Sequence, residues 1–376
     1  MKKILLASVA LTAFAGAAAA EVSFSGSATL GYNDHSDRTA GAFGDHDGFY
    51  SDLNLDVAFS ATLDNGITVS AAADVDEVDA TDGEMSGVTL TIASDAASLV
   101  YGDTSFAAES MWSAAGDMEA DSFSAQDGEG VLKGTFAFGG VDMAVSGVVQ
   151  DSDGNLATDD LAQFSFGAKA SVGAATVVVA YQEETAVADF GGVARTADFN
   201  GDYKDAETMG VSVAFAAAGA DIKVGFASET TTGGTDYDST GISVSYPMGD
   251  VTVAAYYVSE DDSTAVDAKD NAGISFKYAA DGISLTASYA DEQGTDVTKL
   301  EGSFDAGNGL TVYAGYIGKD SDTDDTYIGA SYDLGGGAAL AVSYADDTNN
   351  DEASGDDDIG AQGYQVGTTV ALTFAF

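Results

Sequence analysis

YQVGTTVALTFAF, residues 364–376, alternates without a break. Tyr364, Val366, Thr368, Val370, Leu372, Phe374 and Phe376 fall on one side of an extended chain, with Gln365, Gly367, Thr369, Ala371, Thr373 and Ala375 on the other. Successive side chains of a strand point in opposite directions, so one face is large and apolar and the other small or polar. Such a strand has a greasy side and a wet side. It fits the last strand of a soluble sandwich as well as a strand of a barrel in lipid.

The same unit recurs along the chain: about ten alternating residues, a tight turn, and about ten more. Hairpins are expected over 52–76, 86–102, 131–150, 161–183, 207–228, 239–259, 271–291, 297–318 and 325–346. They turn at Asp64-Asn65-Gly66, near Asp95, and at Gly139-Gly140, Gly173-Ala174, Gly219, Met248-Gly249-Asp250, Asp281-Gly282, Gly307-Asn308-Gly309 and Gly335-Gly336-Gly337. Gly and Asn accept the positive φ that such turns need. With a first strand at 22–32 and a last at 363–376, the count reaches twenty strands. Connections at the other end are expected to be consistently longer and rich in Asp, as at 151–160, 183–205, 260–270 and 346–363. Short turns at one end and long polar loops at the other are the asymmetry of an outer-membrane barrel.

The strand charges sharpen the choice. Lys133, Lys169, Lys223, Lys277 and Lys299 all fall on the face opposite the large apolar residues, as do Asp52, Asp56, Asp74, Asp142, Glu301 and Asp333. Lys223, for example, is flanked by Ile222 and Val224, and Asp56 by Leu55 and Val57. A lysine on a lipid face costs about 2–4 kcal/mol at mid-depth, so a membrane barrel requires this segregation. Charges this frequent on an inner face also need water around them, which implies a wet lumen. The expected architecture is therefore all-β, a transmembrane antiparallel up-and-down β-barrel whose strands, when tilted, are long enough to span.

Composition is consistent with that class. Residues 1–20, MKKILLASVALTAFAGAAAA, place Lys2 and Lys3 before an apolar run ending in alanines, as in a secretory signal peptide, so residues 21–376 are read as one barrel domain. Nothing after residue 20 has the roughly 18 consecutive apolar residues of a membrane helix. The formal charge is −50, which excludes nucleic acid as a natural partner. A chain with 45% hydrophobic residues, 19 phenylalanines and 17 tyrosines is not a disordered acidic one. There is no cysteine, hence neither a disulfide nor a thiolate metal site, and the single proline with 46 glycines suits paired strands joined by tight turns.

One connection breaks the rhythm. Over 103–130 the alternation lapses, and the stretch holds the only tryptophan, Trp112, beside Met111, with Ala107, Ala108, Ala114 and Ala115 favouring a short helical piece. A loop this long in a compact fold usually has a function. Either it folds over its neighbours outside, or it enters the barrel with Met111 and Trp112 as anchors and Glu109, Asp117, Glu119 and Asp121 facing the pore.

The leader, the alternating strands, GDTSFAAESMW (102–112) following VYGD (100–103), ASYDLGGG (330–337) and Phe376 together resemble the general diffusion porins of alphaproteobacterial, Rhodobacter-like outer membranes. The resemblance spans residues 21–376 and implies a homotrimer of barrels in outer-membrane lipid of a Gram-negative bacterium. It also implies a third loop that constricts each pore, and passive diffusion of small hydrophilic solutes and ions without enzymatic activity or a required cofactor. Phe376 is similar to the signal read by the barrel-assembly machinery. Two departures stand out. Such barrels usually have about sixteen strands, and they oppose the acidic third loop with basic side chains. Here the second strand offers Asp52, Asn54 and Asp56, so a cation-favouring pore is expected.

A substrate-specific channel would need aromatic residues in line on the inner face, whereas Phe164, Phe276, Tyr278 and Phe304 fall on the outer one. An acidic secreted or surface adhesin would leave the membrane in salt without detergent. Asp151, Asp153 and Asn155 begin like a calcium loop, but Leu156 and Ala162 stand where glycine and glutamate belong. Looser calcium binding at Asp320, Asp322, Asp324 and Asp325, or at Asp356, Asp357 and Asp358, stays open. His35 and His46 are the only histidines, a thin basis for a metal site or for lipase chemistry.

Overall fold

The computed structural model describes residues 21–34, 48–75, 85–124, 130–150, 162–184, 206–231, 233–263, 269–320, 324–347 and 359–376. The expected leader, both histidines, Asp151, Asp153, Asn155, Asp322 and the run at 356–358 lie outside them.

Twenty strands follow one another in chain order. They are β1 (Glu21–Asp34), β2 (Gly48–Thr62), β3 (Thr68–Val75), β4 (Met85–Ala93), β5 (Ala97–Gly102), β6 (Gly130–Phe138) and β7 (Val141–Gln150). Next come β8 (Ala162–Val172), β9 (Ala175–Gln182), β10 (Ala206–Ala217), β11 (Ala220–Thr231), β12 (Asp236–Met248), β13 (Val251–Asp262) and β14 (Asn271–Ala280). The series ends with β15 (Ile283–Glu292), β16 (Thr295–Gly307), β17 (Leu310–Lys319), β18 (Asp324–Gly335), β19 (Ala338–Asp347) and β20 (Gly367–Ala375). Each pairs antiparallel with the next, and β20 returns to β1 in the register Ser27↔Ala375 to Asp34↔Thr368. Beyond that register, Gly26 and Phe376 exchange two backbone hydrogen bonds, 3.1 and 3.0 Å. The sheet is a closed barrel without an exposed edge, with the nine tight turns where the sequence places them.

Burial is inverted relative to a soluble protein. The large apolar residues are exposed, Phe24 at 61%, Phe138 at 78% and Phe376 at 64%, whereas the fully buried residues include Gln163, Gln182, Asn33, Asn271, Thr208, Ser165 and Ser239. An apolar exterior around a polar interior is what a lipid environment selects. Towards the long-loop end, outward tyrosines donate to carboxylates of the neighbouring strand or its approach. Tyr181 bonds Glu207 at 2.9 Å, Tyr289 bonds Asp296 at 2.6 Å, Tyr316 bonds Asp324 at 2.8 Å, and Tyr257 bonds Asp270. Carboxylates must stay wet, so these pairs mark where the apolar band gives way to water.

Two expectations are corrected. Connections opposite the tight turns are not uniformly long: β15 and β16 are joined by Gln293 and Gly294 alone, with φ of 51° and 82°, a two-residue turn that matches strand twist. The last strand also starts at Gly367, not at residue 363, and Gly367 itself has φ 93°. That kink ends the alternation, so Val366 (6% exposed) and Tyr364 turn inward while Val370, Phe374 and Phe376 stay outside.

Candidate functional site

The connection from β5 enters the barrel. It forms one short helix, α1 (Ala107–Met111), then an extended Trp112 and a single 3-10 turn (Glu119–Asp121). The helix is shorter than the alanine pattern suggests: Ala114 and Ala115 lie beyond it, because Trp112 leaves helical geometry with ψ 151°. Helix α1 packs on β7, β8 and β9, and the 3-10 turn on β10, β11 and β12. Residues 103–124 thus lie along the inner wall, and 125–129 are outside the described residues.

The inner wall is built to receive them. On alternate positions it carries glycine or alanine where another barrel residue would project. Gly167, Gly210, Gly225 and Gly241 face the loop, and a methyl group on them would meet Met111 and Ala107 O, the Trp112 ring, Ala115, and Ala115 O respectively. Between these gaps, polar wall side chains accept the loop's backbone N–H groups. Ala107 donates to Ser146 Oγ and Ala108 to Ser165 Oγ, both at 2.8 Å. Ala120 donates to Ser239 Oγ at 2.9 Å and Ser124 to Gln182 Oε1 at 2.9 Å. The first two satisfy buried donors that α1, lacking a side-chain N-cap, would otherwise leave unpaired. Asn271 Nδ2 donates to Asp117 O and to Glu119 Oε1, at 2.9 and 3.1 Å. None of these wall residues follows from a motif. Their trace in sequence is the run of small or uncharged polar residues on the inward phase of β7–β14.

The four loop carboxylates divide into two pairs. Asp117 and Glu119 are exposed, whereas Glu109 and Asp121 are half-buried. Asp121 accepts the Trp112 indole N–H at 2.8 Å, and the Trp112 ring also packs on Phe123 at 5.7 Å. Burial pushes the Asp121 carboxyl above its ordinary range, with the Trp112 hydrogen bond pulling the other way. Burial raises Glu109 as well, and Lys133 opposes that rise. Asp117 is raised by burial and then by its neighbour Glu119. Met111 and Trp112 are the side chains seated on the wall glycines.

All eleven strand charges lie on the inward phase, but their surroundings differ. Lys133 is 9% exposed, covered by the loop, and its Nζ donates to Ser105 Oγ at 3.1 Å. Lys223 Nζ donates to Ser113 Oγ. Lys169 stands opposite Asp142 across β7 and β8, while Lys277 and Glu301 flank Thr286 of β15. Lys223 and Lys299 line a cavity of about 730 Å³ beside the loop, with Gly116 and Tyr256. Asp56 accepts Ser25 Oγ and sits directly across from Asp74, with Asp52 further along β2. Asp333 belongs to the β18–β19 turn, where its Oδ1 accepts the Gly335 N–H at 2.7 Å. Glu301 accepts the Tyr327 hydroxyl at 2.8 Å and the Ala361 N–H at 3.0 Å. Tyrosines 256, 313, 327 and 364 face inward, a group that the outward aromatics hid from sequence reading. Tyr327 is only 6% exposed, so they form packed clusters and not an open line of rings. No group of three acids or histidines is placed to hold a metal ion among the described residues.

A closed barrel with an apolar outside, a charged inside and a loop folded along its inner wall is the geometry of a pore. The sequence profile of Gram-negative porins matches residues 7–353. The chain belongs to that family. This porin is an outer-membrane β-barrel that passes small solutes by diffusion. Similar solved structures include a multiply substituted mutant of the Rhodopseudomonas blastica porin, at 18% identity and a TM-score of 0.48, covering 79% of this chain and 99% of that one. A triple mutant of the same porin is 17% identical, with a TM-score of 0.46 and the same coverage. A structure described as "Asymmetric conductivity of engineered proteins" is 17% identical with a TM-score of 0.40, covering 95% of this chain and 100% of that one. No curated protein matches the chain.

Proposed function

We propose that this porin favours cations and that its selectivity arises between the loop at 103–130 and the wall formed by β2 and β3. The observation that carries this reading is where the bases go. Lys133 and Lys223 are spent on the loop's own serines, and β1 to β5 contain no lysine or arginine at all. The 3-10 turn rests on β12, and β2 is ten strands away in a ring of twenty, on the opposite wall. Asp117 and Glu119 are therefore mounted on the wall opposite Asp52, Asp56 and Asp74, and among the described residues that far wall carries no basic group. Carboxylates on both sides of a narrow passage raise the local cation concentration and repel anions.

Planar-bilayer reversal potentials in a salt gradient test this directly. Cation preference is expected for the unmodified porin, weakened by Asp117→Asn with Glu119→Gln. Substituting Glu109 and Asp121 is expected to matter less, because those two are half-buried. An anion-favouring potential would refute the selectivity. We further propose export directed by residues 1–20, recognition of Phe376 by the barrel-assembly machinery, and a homotrimer, which unheated detergent gels would display as a band that collapses on heating. Calcium at Asp320, Asp322, Asp324 and Asp325 is open to test by calcium titration.

A further inference from the structure

We infer that residues 359–364 form a second constriction, facing α1 across the lumen and locked to the wall by Glu301. This rests on the pore reading and adds a selectivity element to it. The segment is a small closed loop: Ile359 N donates to Tyr364 O at 2.9 Å, and Tyr364 N donates back to Ile359 O at 3.0 Å, leaving residues 360–363 as its tip. The tip is held at one point, where Ala361 N–H and the Tyr327 hydroxyl share Glu301 Oε1 at 3.0 and 2.8 Å. Beneath it Tyr327, Ala345, Ile359 and Val366 are buried together, and the Tyr327 and Tyr364 rings stand 5.3 Å apart.

The construction repeats that of the first loop. A glycine in the wall makes room, since a methyl group on Gly329 would come within 2.3 Å of the Tyr364 hydroxyl, and a polar wall side chain takes a backbone N–H. The placement is complementary as well. Helix α1 lies on β7 to β9, and half a turn of the barrel away are β17 to β19, which with β16 carry the second segment. Gly167, under α1, is the sixth residue of eleven in β8, and Gly329 is the sixth of twelve in β18, so both docking points are at mid-strand. Gln362 is exposed at the tip. Two inward segments mounted on opposite walls at mid-depth narrow one passage from both sides.

Single-channel conductance and liposome swelling with neutral sugars of increasing size test this. Glu301→Ala removes the shared acceptor and is expected to raise conductance and admit larger sugars. Glu301→Gln keeps an oxygen acceptor and is expected to retain the original size limit. If the two variants behave alike, the acceptor oxygen of residue 301 is not what holds the segment and the inference fails. Gln362→Trp adds bulk to the tip and is expected to lower conductance, which decides the matter even if Glu301→Ala does not assemble. Unchanged conductance in Gln362→Trp would overturn the proposal, whereas absence of conductance in the unmodified protein would instead overturn the pore reading itself.

Discussion

Asp121 shows how one half-buried carboxylate ties the loop's charge to its position. Burial raises its pKa in the docked loop, while an undocked loop in water would have an ordinary carboxylate value. Between those two values the docked form binds more protons. Lowering the pH through the raised value therefore favours docking and removes charge, and raising the pH reverses both effects. Glu109 and Asp117 shift in the same direction. Cation preference is accordingly expected to begin falling on acidification above the usual carboxylate range. Reversal potentials recorded against pH would show this. In Asp121→Asn the part of that titration due to Asp121 should vanish, and an identical pH profile would mean that Asp121 does not contribute.

At the scale of elements, the loop is held by shape before it is held by bonds. The Gly241 position leaves 2.1 Å between a would-be methyl carbon and Ala115 O, a contact that only displacement could relieve. Gly241→Val is expected to destabilise docking by about 1–3 kcal/mol, as overpacking does elsewhere. Proteolysis within 103–130 should quicken. Gly134→Ala is the comparison, because its added carbon would find its nearest neighbour at 3.8 Å. Equal proteolysis of the two variants would show that the loop is not seated on the β12 wall. The strands and their tight turns were legible because period-two alternation and Asn-Gly or Gly-Gly turns are local signals. The seat was not, because Gly167, Gly210 and Gly241 meet the loop only after distant strands are brought together. Alternation likewise told which face Lys133 and Lys223 occupy but not that a loop covers the first and bonds to the second. Gly367 hid the inward turn of Tyr364, since a change of strand direction leaves the pattern of residue types untouched.

For the whole molecule, closure depends on the pairing of β20 with β1, which Phe376 extends through its two hydrogen bonds to Gly26. Deleting Phe376 is expected to reduce the yield of heat-modifiable barrel on gels while leaving the conductance of assembled channels unchanged. Normal yield would assign it no part in assembly. The twenty-strand count has a further consequence. Barrel diameter grows roughly in proportion to strand number, so twenty strands enclose about 1.6 times the cross-section of sixteen. Here the added area is occupied by chain folded inward from the rim. Perimeter and aperture are thereby decoupled: a hairpin could be added to or removed from the hoop, away from both docking walls, without resizing the opening through which a solute passes.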